Sequence, residues 1–140
     1  MTDPSPVVVI GGGVAGCAAA VASAHAGAHT ILIEASRALG GVAVQGEHRT
    51  LCGLAPIDAP RPALLEPAFT SDWITAIADG SPYHQGRVWL WPTNAATLQR
   101  GLRARVTTAQ VDLRLGITVI GAERTDAGIL LRIGGQKLLA

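Results

Sequence analysis

A glycine triplet, Gly11-Gly12-Gly13, cuts directly into a run of apolar β-branched residues, Val7–Ile10, and this junction constrains the fold more than any other part of the chain. Such a run suits a strand buried on both faces, as in a parallel sheet. Residues 14–26 follow without proline and rich in alanine, which predicts a helix, and Gly27 is placed to stop it. Thr30-Ile31-Leu32-Ile33 predicts a second strand ending at Glu34. Strand, glycine turn, helix and strand in this order form the βαβ pattern, so the fold class is α/β with a parallel sheet.

Within the junction, Gly11-x-Gly13-x-x-Gly16 gives each glycine a separate task. Gly11 permits the tight turn out of the strand. Gly13, having no Cβ, lets backbone approach a diphosphate, and Gly16 lets the helix lie close on the strand. Val14 and Ala15 open the helix, where free N–H groups and the positive end of the dipole favour phosphate. Glycine-rich turns are common, so the spacing alone says little. Here four conditions agree: a strand before, a helix after, a second strand, and an acid at its end. Glu34 lies 23 positions after Gly11, where a carboxylate can accept hydrogen bonds from an adenosine ribose and would repel a 2′-phosphate. These residues describe a Rossmann-like dinucleotide site; the alternative is a structural glycine turn with a surface glutamate.

The rest of the chain is less regular. Five of the eight prolines fall between Pro56 and Pro82, so 42–92 reads as a loop-rich insertion in a single domain of 1–140. Asp72–Ala78 predicts a short helix and Arg87–Trp91 a strand. Thr93–Arg105 predicts a helix capped by Thr93 or Asn94. Val111–Leu115 and Ile117–Ala122 predict strands. Gly128–Ile133 and Gln136–Leu139 predict a hairpin around Gly134-Gly135. Charged residues make up 15% of the chain and hydrophobic ones 49%, which suggests surface normally covered by more polypeptide. A net charge of +1 offers no basic face for nucleic acid. The apolar run at 7–10 is too short for a membrane span or signal core, and two cysteines without metal spacing fit a reduced compartment, so the expectation is a cytoplasmic protein with no transmembrane segment and no metal.

Five residues separate Glu34 from Gly40-Gly41. The βαβ unit followed by Glu-x5-Gly-Gly resembles the glutathione-reductase-type FAD-binding fold. The resemblance implies that the dinucleotide is FAD. It also implies that Gly40 and Gly41 let backbone pass close to the cofactor's pyrophosphate and ribityl chain. Ala35 and Arg37 would border the adenosine or phosphates, and Val119 would meet adenine through its backbone. Disulfide reductases of this fold carry a cysteine pair beyond the glycines, where this chain has Val42-Ala43-Val44-Gln45-Gly46. Amine oxidases often carry Arg where Val42 stands, and aromatic hydroxylases often carry Arg near Asn94 and Ala95. The segment from Gly40 to Cys52-Gly53 is most similar to a broad group of FAD-dependent oxidoreductases. An Ala-Thr-Gly-like turn and a later Gly-Asp motif of that fold have no counterpart, so the expectation is an incomplete, N-terminal part of the FAD-binding domain. A second subunit or a C-terminal half would then complete the enzyme and its small-molecule substrate site. An NAD-binding dehydrogenase domain and a non-catalytic nucleotide-binding subunit are the alternatives.

No residue stands out as catalytic. Cys17, just inside the first helix, reads as packing, and so does Cys52, with a redox or covalent-attachment role near the flavin as its sharper possibility. His48 and Arg49 read as a solvated loop, with a general-base or substrate-anion role as the sharper possibility. His25 and His29 flank Gly27 without a metal pattern. Trp89 and Trp91 read as packing residues.

Overall fold

The computed structural model describes residues 5–134 and 136–139. In chain order the elements are β1 (Val7–Ile10), α1 (Val14–His25), β2 (Thr30–Glu34), α2 (Val42–Gln45), β3 (Thr50–Leu51), α3 (Pro67–Ile77), β4 (Tyr83–Gln85), β5 (Val88–Pro92), α4 (Ala95–Thr108), β6 (Asp112–Leu115), β7 (Val119–Thr125), β8 (Gly128–Ile133) and β9 (Gln136–Leu139). They form two compact units. One runs from the N-terminus to Gly41 and resumes at Arg103; the other is Val42–Leu102.

The first unit is built on a parallel sheet of order β1-β2-β6. β1 pairs with β2 from Val7↔Thr30 to Ile10↔Ile33, and β6 pairs with its other side from Ile31↔Asp112 to Glu34↔Leu115. The central strand is buried throughout its apolar stretch, Ile31 to Ile33. Side chains of successive residues point to opposite faces, so both faces of the sheet are covered. β7, β8 and β9 form an antiparallel meander, paired from Val119↔Ile133 and from Leu130↔Leu139. Ile133 of the meander joins Ile31 and Ile33 in one cluster, against which Val8, Ile117, Val119 and Leu138 pack. The expected hairpin therefore forms with the expected strands. Of its turn pair, Gly134 has a φ of 47°, while Gly135 lies outside the described residues.

The second unit contains a small antiparallel sheet of order β3-β5-β4. Its helix α3 is longer than the predicted Asp72–Ala78. It starts at Pro67, directly after Glu66 in a left-handed conformation. Proline at the first helical position loses no hydrogen bond, so a residue that reads as loop punctuation in the sequence here opens a helix. β3 and β4 are two and three residues long, too short to show a period. The alternatives for the α4 cap resolve. The Asn94 Oδ1 accepts the Thr97 N–H at 2.9 Å, whereas the Thr93 hydroxyl donates to the Ile77 carbonyl at 2.6 Å. Thr93 thus ties down the end of α3. Trp91 is buried, and the Trp89 indole N–H donates to the Ala59 carbonyl at 2.8 Å, which fits packing roles for both.

Gly101 marks where α4 meets α3. A Cβ there would collide with the carbonyl oxygen of Ala76 and lie 2.9 Å from the Ile77 Cγ2. Ala favours a helix interior over Gly by about 1 kcal/mol, but overpacking against rigid backbone costs about 1–3 kcal/mol. Gly101→Ala should therefore lower the urea midpoint of unfolding, opposite to the sign that helix propensity alone gives.

Candidate dinucleotide site

At the carboxyl end of β1 the Gly11 N–H donates to the Ile33 carbonyl at 2.8 Å, the last rung between β1 and β2. Gly11 then turns the chain with a φ of 101°, a conformation that favours glycine. A Cβ on Gly16 would collide with the Gly11 carbonyl oxygen, so α1 can press on the strand end only because Gly16 lacks one. One turn later Ala20 is fully buried. Gly13 caps α1 with extended backbone, and a Cβ built on it meets nothing within 4 Å. No side chain caps this helix and no acid stands in its first turn. The first N–H groups of a helix have no partner within it, so those at Val14 and Ala15 are left for an outside acceptor.

The second glycine pair comes to this turn. The Gly40 N–H donates to the Gly12 carbonyl at 2.8 Å, and Gly13 and Gly40 form a parallel bridge. Gly40 and Gly41 have φ values of 109° and 52°. A Cβ on Gly41 would lie 3.3 Å from the Gly13 Cα. Two glycine segments separated by a helix and a strand in sequence thus meet backbone to backbone.

Glu34, the last residue of β2, faces the same turn. One carboxylate oxygen, Oε2, accepts the Gly12 N–H at 2.6 Å, and the other, Oε1, accepts the Ser36 N–H at 2.7 Å. Partial burial pushes this carboxyl up, but the N–H groups of Ser36 and Gly12, helped by the Ser36 hydroxyl and the Ala35 N–H, outweigh it and hold the carboxyl below its ordinary value. Ser36 and Glu34 also receive the chain after β6: their carbonyls accept the N–H groups of Gly116 and Ile117 at 2.9 and 3.1 Å. Ala35 and Arg37 are exposed on this turn. Val119 packs its side chain on the sheet cluster. Its chain neighbours Thr118 and Ile120, with Gly116, Ile117 and Ile133 among others, line a cleft of about 470 Å³ that Val119 itself does not line.

Three residues of this arrangement escaped the sequence reading. Gly12 occupies a position that the spacing leaves open, yet its Cβ would lie 2.6 Å from the Leu39 Cδ2 and 3.0 Å from the Glu34 Cβ. Leu39 is buried over it, and Ser36 anchors Glu34. The one available signal was a glycine triplet where two glycines would satisfy the motif. Cys17 is fully buried, and its thiol donates to the Gly12 carbonyl at 3.4 Å. Burial pushes that thiol up to about 11, with the Glu34 charge adding to the effect. Desolvation here prevails over the lowering that a helix N-terminus produces. In the second unit, the exposed His48 and Arg49 line a cleft of about 240 Å³ with Glu47 and Asn94–Ala96.

A diphosphate suits the glycine junction: uncapped helix donors, an open side at Gly13 and a facing glycine pair leave room for anionic oxygens close to backbone. The sequence matches the FAD-dependent oxidoreductase family over residues 6–136. The chain belongs to that family. FAD is accordingly the dinucleotide, which resolves the choice against NAD that the glycine turn alone leaves open. Several solved structures share the fold. The tetrameric form of 2-methyl-3-hydroxypyridine-5-carboxylic acid oxygenase superposes with a TM-score of 0.67 and 22% identity, covering 99% of this chain and 38% of that one. The Diels-Alderase PyrE3 of pyrroindomycin biosynthesis gives 0.66 and 16%, covering 96% and 30%. A flavin-containing monooxygenase from Stenotrophomonas maltophilia gives 0.57 and 20%, covering 94% and 34%. This member of the family thus spans about a third of the length of each. No curated protein matches the sequence significantly. Among the described residues, no helix is long and apolar enough to cross a membrane, and no three His, Cys, Asp or Glu side chains are grouped to hold a metal.

Two outcomes follow from the geometry. Of the two thiols, exposed Cys52 should react promptly with Ellman's reagent, and Cys17 only after denaturant is added. For Glu34, a folded value held below the ordinary 4.5 means its contribution to stability is complete above that value and is lost as pH falls through the lowered one. The acid limb of stability against pH should flatten in Glu34→Gln, as followed by circular dichroism.

Proposed function

We propose that this chain binds the ADP half of FAD and forms the nucleotide-binding part of a flavin-dependent oxidoreductase acting on a small molecule. The observation that carries this is the open side of Gly13, which faces uncapped helix donors and has the Gly40-Gly41 pair beside it. In this reading Gly11 and Gly16 set the turn, and Gly13, Val14 and Ala15 receive the diphosphate. Gly40 and Gly41 let the chain pass it closely. Glu34 keeps free lone pairs on both oxygens and accepts the ribose hydroxyls. Ala35 and Arg37 border the adenosine, and the cleft flanking Val119 takes the adenine. Bound FAD supplies the electron or hydride transfer, while these residues bind and orient it.

The substrate-facing part belongs to further polypeptide, whether continuous with this chain or a second subunit. β1 supports that assignment. Among the described residues β2 is its sole strand neighbour, and Val7 and Ile10 are 43% and 54% exposed. The N–H groups of Val7 and Gly11 point to β2, so by strand alternation those of Val8 and Ile10 point to the free edge.

Gly13→Val gives a direct test. Its φ of −66° suits any residue, and its Cβ would touch no protein atom, so the melting temperature should hold. FAD affinity, read from quenching of flavin fluorescence, should fall roughly tenfold or more, as a well-made charge-assisted contact is lost. Unchanged FAD affinity in this variant, or binding of NAD in preference to FAD, would refute the reading.

A further inference from the structure

The Glu34 carboxylate is held at both ends before any ligand arrives. Its Oε1 takes the Ser36 N–H and its Oε2 the Gly12 N–H. Gly12 is buried, so no water replaces that second bond if it breaks. The carbonyl of the same Gly12 accepts the Gly40 N–H, and the next residue, Gly13, bridges Gly40. Leu39 and the Glu34 stem fill the space on the Cβ side of Gly12. A carboxylate on one side and Gly40 on the other therefore fix both the N–H and the C=O of one glycine.

From this chain of contacts we infer that Glu34 is a positioning residue for the diphosphate cradle: acting through Gly12, it holds Gly11–Gly13 and Gly40-Gly41 in register, independently of any contact it makes to ribose. The inference rests on the ADP-binding reading given above. Replacement by Gln sets an amide against two N–H donors, and its single oxygen can satisfy only one of them. Asp falls short of Gly12 by one methylene.

The test separates ribose contact from cradle support by removing the ribose hydroxyls from the ligand. Binding of ADP and of 2′,3′-dideoxy-ADP is measured by calorimetry for the wild-type chain, Glu34→Gln and Glu34→Ala. Support for the cradle predicts that both ligands weaken by a similar factor, roughly tenfold or more. Weakening of ADP alone, with the dideoxy ligand bound as well as before, would overturn the inference. Amide exchange in the ligand-free variants gives a second readout that a ribose contact would not move. The Gly12 and Gly40 amides should lose protection by about tenfold while the amides of β2 keep theirs. Unchanged Gly40 protection would count against the proposal. In the wild-type chain, the amide protons of Gly12 and Gly40 should shift together in one acid titration, and a shift at Ser36 alone would also overturn it. Should the wild-type chain bind neither nucleotide, the ADP-binding reading fails, and the amide measurements still decide the role of Glu34.

Discussion

Three stretches of backbone meet at Gly12, and the closeness of that meeting governs the site. β1 ends there, the segment ending in Gly40 donates to its carbonyl, and Glu34 reaches its N–H from the end of the neighbouring strand. The glycines themselves have no room for side chains: a Cβ on Gly12 would run into the Leu39 and Glu34 side chains, and one on Gly16 into the Gly11 carbonyl. The parallel register of β1 and β2 brings the two strand ends level, so the turn after one and the acid ending the other fall side by side. The bonds by which Ser36 and Glu34 receive the chain after β6 then fix where the third strand leaves the sheet.

The portions of this arrangement that were legible in the sequence are those set by local rules. A continuous apolar run, a glycine turn, an alanine-rich helix and a second apolar strand each carry a short-range signal, and each element forms where its signal puts it, although β1, expected buried, lies at the sheet edge with Val7 and Ile10 exposed. The hairpin of β8 and β9 was legible for the same reason. The start of α3 was not, because Pro67 signals a loop or a first helical turn with equal force, and only the left-handed Glu66 before it decides. Gly12 and Gly101 were invisible as critical positions. Their demand comes from Leu39 and Glu34 in one case and from Ala76 in the other, residues distant in sequence. Cys17 shows the limit of a local rule: its helix position argues for a reactive thiol, and its burial removes that reactivity.

Membership of the FAD-dependent oxidoreductases fixes the cofactor and leaves the reaction open. Neighbours of this fold include an oxygenase, a monooxygenase and a Diels-Alderase, and each is about three times as long as this chain. What they share with it is the fold, and one fold hosts many chemistries.

Among the described residues, the edge of β1 away from β2 has no strand beside it. Strand edges in soluble proteins are usually guarded by lysine, proline or a bulge, and Val7 to Ile10 carries none of these. The residues that make the strand suited to the middle of a sheet make it adhesive while it waits at the border. Until another strand covers it, the edge offers a template to any extended apolar segment nearby, including the same segment of a second molecule.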